Sequence, residues 1–153
     1  MKLRILSIGK RMPDWVERGY GEYQKRLRSV MPVELTELPP SKRADATSRK
    51  ADEGERLLRA LGDRTRLVVL DEGGQAWSTR DLAGRLEAWR GGRTAVALVI
   101  GGPDGLAPEL LARADEHWSL SRLTFPHPLV RLVLIEQLYR AWSLGAGHPY
   151  HRD

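Results

Sequence analysis

The stretch Ala95-Val96-Ala97-Leu98-Val99-Ile100-Gly101-Gly102-Pro103-Asp104-Gly105-Leu106 decides the fold. Six apolar residues run without a break and stop at a turn-forming pentad. A short continuous apolar run is the mark of a strand buried on both faces, as in a parallel sheet. Two glycines past its end allow close approach to the backbone. In open α/β sheets, ligands sit beyond the carboxyl ends of strands. The pentad therefore reads in two ways, as a ligand loop or as a plain strand-to-helix turn.

Working outward, the same grammar recurs. Lys2 to Ile8 is a strand that ends at Gly9. Pro13 and Asp14 suit a helix start, with Trp15, Val16, Tyr20, Tyr23 and Leu27 following at helical spacing. Val33, Leu35 and Leu38 form a half-exposed strand, and the polar segment Pro39 to Thr47 reads as a mobile basic loop. A helix over 48–61, capped by Gly62, leads to a strand over 66–70 that ends at Asp71-Glu72-Gly73-Gly74. Ser78 and Asp81 resemble a capping box for a helix carrying Leu82, Ala83, Leu86 and Trp89. After the opening strand come a short helix over 108–115 and a fifth strand at Trp118-Ser119-Leu120. Five strands alternating with helices predict one α/β domain over 1–153, with a parallel sheet sandwiched by helices.

The last helix, from Pro128 to about Leu144, is apolar almost all round. Such a helix is either buried in a domain or shared with a partner. In a chain of 153 residues the second is favoured, so a homodimer is expected. Glu136 and Arg140 have the spacing and order of a local ion pair.

Composition narrows the chemistry. There is no cysteine, hence no disulfide framework or thiolate metal site, which fits a cytoplasmic protein. No membrane span and no metal-ligand spacing are present among the histidines. The net charge is +5, and 20 of the 25 basic residues are arginine. Residues 1–66 carry +6 and the remainder −1, so a polyanion such as RNA is a candidate partner for the first half. The dinucleotide fingerprint, the P-loop and the serine-hydrolase elbow are all missing. Phe125-Pro126-His127-Pro128 is a rigid segment, either a set of main-chain contacts for a purine edge or a stiff connector. The tail ends in His148-Pro149-Tyr150-His151-Arg152-Asp153. Those residue types stack on unpaired bases and contact phosphate, although chain ends usually fray.

Several stretches, taken jointly and in order, carry a resemblance. They are Met12-Pro13-Asp14-Trp15, Leu70-Asp71, Ile100 to Leu106, Trp118-Ser119-Leu120-Ser121, Pro126 to Arg131, Leu138 to Ser143 and His148 to Arg152. The chain resembles the ribosomal large subunit methyltransferase H family, small SPOUT-class enzymes that methylate N3 of a pseudouridine in 23S rRNA. The resemblance implies a C-terminal trefoil knot (the α/β-knot fold), a homodimer, S-adenosylmethionine as cofactor, and the large subunit or whole ribosome as partner. It places cofactor contacts on Leu70, Gly102, Ser121, Arg122, Leu123, Thr124, Phe125 and Pro126. Arg140, Tyr150 and His151 are the expected catalytic and RNA-positioning residues, with Arg152 on the RNA and His151, Asp71 or water as proton acceptor. Two further readings stay open: a non-catalytic ribosome-associated RNA-binding protein with the same fold, and a flavodoxin-like nucleotide binder.

Overall fold

The computed structural model describes residues 2–151. Its elements alternate throughout: β1 (Leu3–Ile8), α1 (Asp14–Leu27), β2 (Val33–Leu38), α2 (Ala46–Leu61), β3 (Thr65–Ala76), α3 (Thr79–Gly91), β4 (Ala95–Ile100), α4 (Pro108–Arg113), β5 (Glu116–Ser119) and α5 (His127–Ala146). The five strands form one sheet in the order β2-β1-β4-β3-β5, and each pairing is parallel. Crossovers between parallel strands are right-handed. The chain steps one way along the sheet from β1 to β2 and from β3 to β4, and the other way from β2 to β3 and from β4 to β5. That alternation sends α1 and α3 to one face and α2 and α4 to the other. After β5 the chain returns α5 to the first face, where it packs against both α1 and α3.

The central strands alternate their side chains between the two layers. Leu3, Ile5, Val96, Leu98 and Ile100 enter the core under α1, α3 and α5. Leu6, Ile8, Ala97 and Val99 enter the core under α2 and α4. Burial on both faces is why β1 and β4 read as unbroken apolar runs.

Arg131, only 2% exposed, fastens α5 to the sheet. Its guanidinium meets Glu37 at 2.6 Å, donates to the Ser7 hydroxyl at 3.0 Å and reaches the Gly9 carbonyl at 3.3 Å. The start of the last helix is thereby held over the carboxyl ends of β1 and β2.

Four expectations need correction. The third strand does not stop at Leu70; it runs to Ala76, with a register shift against β5 in which Leu70 and Gln75 both align with Trp118. Gly74 makes the irregularity possible, because a Cβ there would lie 2.7 Å from the His117 carbonyl carbon. Segment 39–45 is tied down rather than mobile. Its Ser41 N–H donates to buried Glu53 at 2.8 Å, and its carbonyls at Pro39, Arg43 and Ala44 accept from Arg56 and Arg49 of α2. Trp15 leaves the core and stands 52% exposed. The last helix is longer than expected at both ends, closing on Gly147 in the left-handed conformation (φ 69°).

Candidate active site

The sheet register brings the ends of the strands to one edge. Ile8 aligns with Leu38, Ser7 with Ile100, Ile100 with Leu70, and Leu70 with Trp118. At this edge lies an open cleft of about 380 Å³. Its apolar wall is Leu70, Leu120, Leu123, Phe125 and Val130, and Asp71 and Glu72 of β3 complete the lining. Trp118 forms part of the lining, and its indole N–H is buried with no partner. Behind it Trp77 stacks on Trp118 at 4.8 Å, and the Arg85 guanidinium lies 3.8 Å from the Trp77 ring centre. The segment after β5 is shaped by its own serines: the Ser119 hydroxyl donates to the Ser121 carbonyl at 2.9 Å, and the Ser121 hydroxyl accepts from Leu123 N–H at 2.9 Å. Leu123 is 71% exposed at the mouth of the cleft it lines.

Of the expected cofactor residues, Leu70, Ser121, Leu123 and Phe125 line this cleft. Arg122, Thr124 and Pro126 belong to the same segment and are exposed. Gly102 lies apart from the lining. A Cβ there would come 3.0 Å from the Glu53 carboxylate and 3.1 Å from Ile8, so this glycine lets α2 close against the end of β4. Its loop is clamped from the same helix, with Arg49 forked onto Asp104 at 2.8 and 3.3 Å. That pair holds the Asp104 carboxyl below the usual carboxylate range. Glu53 was not apparent from sequence. It is 3% exposed, and its second carboxylate oxygen has no partner.

The second group of expected residues gathers elsewhere. Glu136 binds Arg140 at 2.7 Å and accepts from the Tyr150 hydroxyl at 3.0 Å. Its other oxygen accepts from Gln137 at 2.8 Å. Ser143 gives its single proton to the Arg140 carbonyl at 2.7 Å. Its 3.3 Å contact with His151 Nδ1 therefore has the imidazole as donor, which leaves Nε2 as the free acceptor of the neutral ring. Arg152 lies outside the described residues. Thus Arg140, Tyr150 and His151 do come together, but not at the cleft. Val130 lines the cleft, and Arg140 is ten residues further along the same helix, about 15 Å at 1.5 Å per residue.

Among the described residues no group of three or more His, Asp or Glu is placed to hold a metal ion, and no helix is long and apolar enough to cross a membrane.

Comparison with known proteins agrees with this architecture. The chain is 54% identical over 155 residues to a protein of Chromohalobacter salexigens named ribosomal RNA large subunit methyltransferase H, covering 99% of this chain and 100% of the relative. A protein of the same name from Hahella chejuensis is 49% identical over 156 residues, with 100% of both chains covered. Among solved structures, a probable methylase family protein from Haemophilus influenzae superposes with a TM-score of 0.58 at 14% identity, over 99% of this chain and 70% of that one, which bears on the fold alone. Residues 1–151 match the family described as predicted SPOUT methyltransferase. With full-length relatives at about half identity and a family match across nearly its whole length, the chain belongs to the SPOUT methyltransferases.

Proposed function

We propose that this chain is an S-adenosylmethionine-dependent methyltransferase acting on N3 of a pseudouridine in 23S rRNA of the large ribosomal subunit. The observation that carries the reading is the cleft at the strand ends, whose residues suit that cofactor. The apolar wall of Leu70, Leu123 and Phe125 matches an adenine face. Asp71 and Glu72 favour a cationic sulfonium. When bound, the cofactor supplies an electrophilic methyl group. The protein's task is then to hold the target nitrogen in line and to exclude competing geometry. A segment threaded as a trefoil knot belongs to the same reading, since it would fix 119–126 as a rigid wall.

The N3–H must also lose its proton. His151 Nε2 is the proposed acceptor, since the Ser143 contact puts the proton of the neutral ring on Nδ1. Arg140, Tyr150 and Arg152 are proposed to position the rRNA. Arg140, which gathers with Tyr150 and His151, stands about 15 Å along α5 from the cleft residue Val130, so a homodimer is proposed in which each tail serves the partner's cleft. The partly exposed row Leu129, Val130, Leu132 and Val133 on α5 supplies apolar surface for that contact.

Titration calorimetry with S-adenosylmethionine tests the reading. The native protein binds saturably, and Leu123→Glu, a change at an exposed cleft position, weakens binding at least about ten-fold with an unchanged melting temperature. Absence of binding in the presence of ribosomes would favour the non-catalytic RNA-binding alternative.

A further inference from the structure

We propose that Tyr23, on α1, is a positioning residue that sets the C-terminal tail on α5 for its encounter with RNA. The inference rests on the proposed role of the tail. Tyr23 lies 127 positions from Tyr150, yet their hydroxyls are 2.9 Å apart. Tyr150 donates its only proton to Glu136, so in the contact between the two phenols Tyr23 must be the donor. The result is a one-way chain: Tyr23 to Tyr150 to the Glu136 oxygen that also binds Arg140. Burial, followed by the bonds to Tyr23 and Glu136, pushes the Tyr150 hydroxyl above its ordinary value, so it keeps the proton that it donates.

The rings reinforce the chain. Tyr150 meets Tyr139 edge-on at 4.7 Å and Tyr23 at 6.3 Å. The Arg26 guanidinium lies 5.2 Å from the Tyr23 ring centre and 6.0 Å from that of Tyr150. Arg140 lies 5.0 Å from the Tyr150 ring centre. Tyr150 therefore has two cations near its ring, and its hydroxyl both accepts from Tyr23 and donates to Glu136. What it offers to RNA is ring surface in a fixed orientation, next to an arginine that the same carboxylate orients. Without Tyr23 the tail has one anchor fewer, and ordering it falls on the binding step.

The test is Tyr23→Phe, which keeps the ring and its packing and removes only the donor. Ribosome methylation is expected to show KM raised about five-fold with kcat nearly unchanged, the scale of one lost hydrogen bond. S-adenosylmethionine affinity is expected to stay as in the native protein. In a double-mutant cycle, Tyr23→Phe added to Tyr150→Phe is expected to cost nothing further. Carboxypeptidase release of the tail, followed by mass spectrometry, is expected to quicken in Tyr23→Phe. Unchanged KM and unchanged tail release, or additive effects of the two substitutions, would overturn the proposal. Faster tail release in a protein whose native form methylates no ribosome would keep the clasp, and would overturn its role in RNA placement together with the proposed function.

Discussion

His127 shows how one residue links the site to folding. It opens α5, and its ring packs against Gly9, where a Cβ would come within 3.2 Å of Nε2. Burial first, and then the Arg131 guanidinium, hold its pKa below the ordinary histidine value, while the carbonyls of Gly101 and Ile8 pull the other way. The folded protein thus keeps His127 neutral at a pH where the unfolded chain takes up a proton. Stability is fully present above the unfolded value, near 6.5, and is lost as pH falls through that value toward the folded one. Melting temperature is expected to drop between about pH 7 and pH 5, and His127→Gln should flatten that slope. An equal slope in both proteins would remove His127 from the account. Gly74 makes a second prediction at this scale. Gly74→Ala drives a methyl into the backbone of β5, and overpacking of that kind costs about 1–3 kcal/mol, measurable by urea unfolding. Neither Gly74 nor the buried Glu53 was legible from sequence. Gly73-Gly74 looks like any turn, and the unpartnered carboxylate oxygen of Glu53 looks like any exposed helical acid until α2 closes against Gly102. Leu70 and Phe125 were marked by the family resemblance rather than by any local pattern, and both line the cleft.

Elements were read well where the pattern was local. The Ser78–Asp81 capping box is formed in both directions, at 3.0 and 2.8 Å, despite an aspartate at the position usually held by glutamate or glutamine. Ser78→Ala is expected to cost about 1 kcal/mol in urea unfolding, and a change under a few tenths would show the cap to be idle. The opening strand of the sequence reading, Ala95–Ile100, has the bounds expected of it, since both its faces are buried and nothing interrupts its run. The third strand was cut short because its second half, Asp71 to Ala76, is polar and exposed on its way past β5; only pairing with Trp118 and Ser119 makes it strand. The segment before α2 was misjudged for the opposite reason. Its composition is that of a solvated loop, and its anchors come from three side chains of α2 that no local pattern reveals. Helix α5 was read as apolar on two sides, and Leu134, Ile135 and Leu138 do fill the core while Leu132 and Val133 remain partly exposed.

At the scale of the whole molecule, strand order was beyond the sequence. Periodicity specifies neither that β4 inserts between β1 and β3 nor that the tail folds back onto α1. Yet those two facts set the geometry of function: one cleft at the sheet edge and one polar cluster about 15 Å away along α5. The dimer proposal follows from that separation, and complementation tests it. Leu123→Glu disables the cleft and Arg140→Ala disables the tail, so each homodimer is expected to be inactive. Mixed and reassociated subunits should recover about a quarter of native activity, because half the dimers are mixed and each has one intact composite site. No recovery from a mixture shown to exchange subunits would place cleft and tail in the same protomer. The decisive measurement is transfer of a labelled methyl group from S-adenosylmethionine to ribosomes isolated without that methylation, with the modified nucleoside then located in the RNA. Label is expected in 23S rRNA of the large subunit, on N3 of a pseudouridine, and is expected to be lost with Arg140→Ala. Label on another base or another RNA, or none from a protein that binds the cofactor, would contradict the proposed function.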